Sequence, residues 1–253
     1  MNGKVLKTRF KTKRDGLSIR GKIYGELLGT KPVVILCHGF MANQSMCKNY
    51  ALLLAKMGYI AVTFDFCGGG LFCSSDGKTT EMSVFSEVDD LEAVLAYVME
   101  LPCVDKNRIS LLGCSQGGVV SAIVAKRKAS HIDKLLLFYP ALCIPDDARS
   151  GKMVFAKFNP DSIPEKIWCG PMRLGKCYVE TVLDLDIFQE ICGYEGNVFL
   201  VHGDADKLVD ISYSRKAAQI YKNVNYYEIK NGAHGFRGKN DEIAKELLYK
   251  FML

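Results

Sequence analysis

The chain has 253 residues, 49% of them hydrophobic, enough to build one large core rather than two independent small ones. Its net charge of +5 is concentrated at the start: residues 1–31 carry nine cations against Asp15 and Glu26, a net +7 that leaves the remainder at −2. This cluster lies in an alternating β pattern with no aromatic recognition element, which argues against a nucleic-acid binder and for a solvated sheet edge protected from strand-to-strand aggregation.

Residues 4–12 and 17–27 alternate apolar and polar around Arg14-Asp15-Gly16, which predicts a β-hairpin. PVVILC (32–37) is a continuous apolar run, as expected of a strand buried on both faces. A helix over 44–57 ending at Gly58, a second buried strand at 59–66 and a glycine-rich loop follow. Val84, Val88, Leu91, Leu95 and Val98 then recur at helical spacing. The rest alternates strand (108–113), helix (116–128), strand (133–139 and 197–203), helix (near 211–222), strand (224–230) and helix (near 241–252). Buried strands alternating with amphipathic helices predict a mostly parallel sheet flanked by helices on both faces. The rhythm breaks over 141–195, which holds Pro145, Pro160, Pro164, Pro171 and the single Trp. The expected organisation is therefore a core of 1–140 and 196–253, with 141–195 inserted as a cap over the sheet's carboxyl edge, where ligands bind in open α/β sheets.

Ten cysteines at 37, 47, 67, 73, 103, 114, 143, 169, 177 and 192 form no C-x-x-C pair and no zinc spacing. Several lie inside apolar runs and read as small buried hydrophobes, Cys114 among them. The first residues lack the apolar stretch of a secretion signal, and no segment approaches 18 apolar residues. A cytoplasmic chain with reduced thiols, associated with no membrane, is the expectation.

Gly113-Cys114-Ser115-Gln116-Gly117 fits G-x-S-x-G between a predicted buried strand and a predicted helix. A serine there sits on a sharp turn that flanking glycines allow, and reads as a nucleophile; otherwise it merely caps the helix. Serine needs a base, and there are four histidines. His131 precedes a strand far from the edge. His38 and His202 each end a buried strand next to glycine. His234, in the loop after the last strand, completes a nucleophile–acid–base order along the chain and is the expected base. In His202-Gly203-Asp204-Ala205-Asp206, followed by Asp210, the favoured acid is Asp206; Asp204 reads as a turn-former and Asp210 as a helix cap. The backbone N–H groups of Gln116 and Phe40, the latter after His38-Gly39, are the expected oxyanion donors. Gly68-Gly69-Gly70 and Gly77-Lys78-Thr79 fail the dinucleotide and phosphate-loop patterns because positions 73 and 72 are Cys and Phe.

With these residues in place, the chain resembles the α/β-hydrolase superfamily and, within it, bacterial cinnamoyl (feruloyl) esterases. HGF (38–40), GCSQGG (113–118), HGDADKLV (202–209) and GAHGF (232–236) carry the wider likeness. IPDDARSG (144–151), KFNPDSIPEKI (157–167) and LGKCYVETV (174–182) carry the narrower one. The resemblance implies an α/β-hydrolase fold with an inserted cap and a serine carboxylesterase acting on a small-molecule ester, without metal or organic cofactor. It implies that Asp147 and Tyr178 bind the ring hydroxyls of a hydroxycinnamoyl group. One departure stands out: such hydrolases often have G-x-G-x-S after the second buried strand, where this chain has Cys67-Gly68-Gly69-Gly70-Leu71. Other acyl esters, monoacylglycerols or thioesters, a peptidase acting on peptides or acylated amines (disfavoured because the sequence shows no propeller or extended peptide-binding domain), and a non-catalytic binding role are the competing readings; a homodimer is left open.

Overall fold

A computed structural model describes residues 5–253. The leading strands are β1 (Lys7–Arg14) and β2 (Leu17–Tyr24), joined by a two-residue turn in which Asp15 and Gly16 both have positive φ (46° and 82°), as a tight hairpin requires. Lys4, included in the predicted hairpin, lies outside the described residues. β3 (Lys31–Cys37), α1 (Lys48–Lys56), β4 (Ile60–Phe64), α2 (Val84–Met99), β5 (Val104–Cys114), α3 (Gln116–Arg127) and β6 (Lys134–Phe138) form the first half of the core. The predicted helix over 44–57 opens as a 3₁₀ turn, Gln44–Cys47, capped by the Asn43 side chain. The predicted strand 108–113 runs longer, over all of β5.

The stretch that broke the rhythm holds short pieces: α4 (Ile144–Arg149), β7 (Lys152–Met153), β8 (Ala156–Lys157), β9 (Lys166–Cys169), β10 (Met172–Gly175), α5 (Lys176–Glu180) and α6 (Ile187–Ile191). β7–β8 and β9–β10 are two small antiparallel hairpins. The chain then completes the sheet with β11 (Asn197–Gly203), α7 (Ser212–Ile220), β12 (Val224–Ile229) and α8 (Lys239–Met252).

The eight-stranded sheet has the order β1-β2-β4-β3-β5-β6-β11-β12. β1 and β2 run antiparallel to each other, and β2 to β4; from β4 to β12 every pairing is parallel. The architecture is the α/β-hydrolase fold. Alternation along β3 accounts for its wholly apolar run: Val33, Ile35 and Cys37 enter the core under α2 and α3, while Val34 and Leu36 enter the core under α1 and α8. Ala148, Met153, Leu174, Tyr178 and Val179 from 141–195 belong to the first of these cores and not to one of their own. No helix among the described residues is long and apolar enough to cross a membrane.

A buried ion pair ties the hairpin to this core, and a more exposed one, Arg20 with Asp76, ties it to the loop after β4. Arg14 Nε donates to Asp90 Oδ1 on α2 at 2.7 Å, and Cys67 N–H donates to Asp90 Oδ2 at 2.7 Å. Burial pushes the Asp90 carboxyl above the ordinary carboxylate range despite the opposing pull of Arg14. A carboxyl with a raised folded pKa binds more protons folded than unfolded, so stability falls as pH rises through that interval. Removing Arg14 raises the pKa further. Arg14→Met is therefore expected to lose about 3 kcal/mol at pH 8 and clearly less near pH 4, as read by urea denaturation at the two pH values.

Candidate active site

β5 ends at Cys114 and α3 begins at Gln116, so the chain reverses within the single residue Ser115. Its backbone is strained, with φ 55° and ψ −121°. The strain is held by close backbone approach. A Cβ on Gly117 would collide with the carbonyl oxygen of His38, and one on Gly39 would lie 3.1 Å from Ser115 Cβ. The elbow is also tied to the sheet, since Ser115 N–H donates to Phe138 O at 2.9 Å. The loop after β3 is thus pressed directly against the serine.

Ser115 Oγ is 2.9 Å from His234 Nε2, and His234 Nδ1 is 2.7 Å from Asp206 Oδ2. The three residues come from the turn after β5, the loop after β12 and the loop after β11. Two loops meet to make this possible. A Cβ on Gly203 would strike the Gly232 carbonyl, and Asp204 Oδ1 accepts the Asn231 N–H at 2.5 Å. Asp204 therefore joins the acid loop to the histidine loop rather than closing its own turn. Asp210 accepts the N–H of Ser212 at 2.9 Å, but the cap position of α7 is Ile211, so Asp210 closes the turn one residue before the helix cap and is not the cap itself. The ring of Tyr139 packs edge-on against His234 with centroids 4.8 Å apart.

Asp206 collects four donors. Oδ1 accepts the N–H groups of Leu208 (2.8 Å) and Val209 (3.0 Å); Oδ2 accepts His234 and also His202 Nε2 at 3.1 Å. Burial would raise the Asp206 pKa, but the hydrogen bonds from His202, His234 and Val209 hold it well below the usual carboxylate range. His202 Nε2 faces a second acceptor, Val209 O at 3.2 Å, and so carries the ring proton, leaving Nδ1 to accept from Ser214 Oγ at 2.7 Å. This second imidazole on the carboxylate has no signature in the sequence beyond its place at the end of β11.

His38 supports the other side. Phe66 N–H donates to His38 Nε2 at 3.2 Å, so Nδ1 bears the proton and donates to Gly39 O at 2.9 Å. The carbonyl is fixed, and in a planar trans peptide the N–H of Phe40 points the opposite way. Gln116, as the first residue of α3, has an N–H without a partner inside the helix. The loop where the chain departs from G-x-G-x-S buttresses this arrangement: Gly70 bridges to Met41, and Leu71 N–H donates to Met41 O at 3.3 Å. His38, Asp65 and Cys73 lie close enough to suggest a metal site. Both His38 nitrogens are engaged, however, and Asp65 accepts from Gln44 and Ser74 through both oxygens, so no ligand lone pairs converge there.

A cavity of about 220 Å³ opens beside Ser115 and His234, walled mainly by apolar side chains including Phe40, Ile144, Met153 and Phe155. Asp147 on α4 and Tyr178 on α5 line it. Asp147 is paired with Lys152 Nζ at 3.8 Å. Tyr178 is almost wholly buried, and its hydroxyl donates to Gln116 Oε1. What Tyr178 offers a ligand is an oxygen lone pair, and Asp147 likewise offers an acceptor.

Comparison with known proteins bears on this site. A family model described as serine aminopeptidase, S33, matches residues 29–174, more than half of the chain. The ferulic acid complex of Est1E from Butyrivibrio proteoclasticus superposes with a TM-score of 0.89 at 26% identity, covering 96% of this chain and 97% of that one. Mouse alpha/beta hydrolase domain-containing protein 10 shares the fold, with a TM-score of 0.77, 18% identity and coverage of 97% and 98%. An uncharacterized 31.7 kDa protein of Escherichia coli is 31% identical over 110 residues, 42% of this chain; the match spans only 37% of that curated relative's length. In fold the chain resembles Est1E, and it belongs to the serine aminopeptidase S33 family of α/β-hydrolases.

Proposed function

We propose that the protein is a serine carboxylesterase that hydrolyses hydroxycinnamoyl esters through an acyl-enzyme. The observation that carries this reading is the unbroken hydrogen-bonded line from Ser115 through His234 to Asp206 at the mouth of an apolar cavity. The ferulic acid bound in Est1E supports the substrate class.

In this mechanism His234 takes the Ser115 proton as Oγ attacks the ester carbonyl. The N–H groups of Gln116 and Phe40 receive the developing oxyanion. His234 then protonates the leaving alcohol, and water repeats the sequence to release the acid. Asp206 remains a carboxylate throughout: its four donors hold it ionised, and its part is to orient the imidazole and stabilise the imidazolium. The acyl group lies in the cavity, where Asp147 and Tyr178 accept hydrogen bonds from a phenol. Such a pair favours a free hydroxyl over a methyl ether, which brings no donor.

Two outcomes are expected. A fluorophosphonate probe labels the wild-type chain and not Ser115→Ala, whose turnover falls on the order of 10⁴-fold or more while its thermal transition is retained. In a substrate panel, kcat/KM for methyl p-coumarate exceeds that for its 4-methoxy analogue by about tenfold, consistent with one phenol donor lost against a built acceptor, and Asp147→Ala narrows the gap. Faster turnover of p-nitrophenyl butyrate or a monoacylglycerol than of any cinnamate would instead assign the cavity to another acyl class.

A further inference from the structure

We infer that Glu87 is a positioning residue, which holds Gln116 and through it Tyr178 against the two peptide groups that face Ser115. The inference rests on the esterase reading above but assigns a role to a residue outside the triad, the oxyanion donors and the acyl-binding pair.

Glu87 lies on α2 and is 1% exposed. Gln116 Nε2 donates to Glu87 Oε2 at 2.8 Å, and Tyr178 donates its hydroxyl proton to the other end of the same amide, Gln116 Oε1. Tyr178 in turn packs on Phe40, ring centroids 5.9 Å apart. The line Glu87–Gln116–Tyr178 therefore ends on Phe40 and passes through Gln116, the two residues whose N–H groups receive the oxyanion. Its far end is equally confined. A Cβ on Gly69 would lie 2.7 Å from Glu87 Oε1, so the glycine run that replaces the usual G-x-G-x-S is what leaves room for this carboxyl.

A buried carboxyl is a costly way to fill space. Burial pushes Glu87 well above the ordinary carboxylate range, which favours its neutral form. Leucine would fill nearly the same volume without that cost. What leucine lacks is an acceptor for Gln116 Nε2. Without one, the Gln116 amide has a buried donor unpaired and can turn, and the Tyr178 hydroxyl loses its fixed partner. Stability and turnover should then move apart, which a packing role would not produce.

The test compares full-length wild type, Glu87→Gln, Glu87→Leu and Tyr178→Phe on p-nitrophenyl butyrate, which has no phenol on its acyl side, and on methyl p-coumarate. Glu87→Gln keeps an acceptor and is expected to stay within about twofold of wild-type kcat on both esters. Glu87→Leu is expected to lose about tenfold or more in kcat on both, a part of what a missing oxyanion donor costs, with KM for the butyrate little changed and the melting temperature at pH 8 moved only slightly, because the unpaired Gln116 donor and the removed buried carboxyl have opposing effects. Tyr178→Phe should lower kcat on the butyrate severalfold, because it acts there only through Gln116. The role is overturned if Glu87→Leu keeps wild-type kcat, if Glu87→Gln and Glu87→Leu lose kcat and melting temperature equally, or, should Glu87→Leu not fold, if Tyr178→Phe leaves butyrate turnover unchanged. Wild type that cleaves the butyrate but not the coumarate removes the substrate class alone; wild type that cleaves neither removes the esterase reading and this role with it.

Discussion

The backbone of Ser115 governs what the rest of the molecule has to supply. A non-glycine residue at φ 55° and ψ −121° persists only where its surroundings leave the chain no alternative. Here they do so by proximity: glycines at 39 and 117 let two peptide segments come within reach of each other where any larger residue would force them apart. The same squeeze that lifts the hydroxyl out of the sheet brings the loop after β3 beneath it. The geometry of Ser115 and the approach of the Phe40 peptide are thus two results of one packing constraint, and Gly39 belongs to both.

Much of this was legible in the sequence because the core strands are buried on both faces. Apolar runs such as 32–37 and 197–203 are too short for a buried helix and too apolar for a loop, and β11 occupies the whole of its predicted range. The G-x-S-x-G stretch was readable because its glycines answer a steric demand that recurs wherever a strand turns directly into a helix. Less visible were the groups that act on other groups. Nothing in the spacing indicates that His202 donates to Asp206, that Asp204 reaches Asn231, or that Glu87 reaches Gln116 over 29 positions of chain. These contacts depend on tertiary register, and a polar residue within an apolar helical pattern, as Glu87 is, reads simply as a solvent-facing position. The hairpins of 141–195 escaped for a related reason: two- and four-residue strands are too short to show a period.

Five of the cations at the start of the chain, Lys7, Arg9, Lys11, Lys13 and Arg14, lie on β1, which is one edge of the sheet. Lys7, Arg9, Lys11 and Lys13 alternate with Phe10 and its neighbours, so one face of the hairpin packs on the core while the other is solvated. A further strand docking on β1 would have to bring its own backbone against this row of like charges. Arg9 and Lys22 stand directly opposite each other across the hairpin, an arrangement with a cost in pairing energy that protection of the edge offsets.

The segment 141–195 sits over the sheet but shares its interior. Ala148, Leu174, Tyr178 and Val179 are almost wholly enclosed in the same apolar mass as the strands beneath them. Swinging that segment away as one rigid flap would wet all four, at roughly 1.5–3 kcal/mol for each larger side chain, a sum comparable with the whole stability of an ordinary domain. The rim of the cavity is different: there Phe155 and Leu208 already meet water, so movement at that point exposes little further apolar surface. A cavity walled in this way is shaped in advance, because the side chains that line it are held by the same packing that holds the sheet.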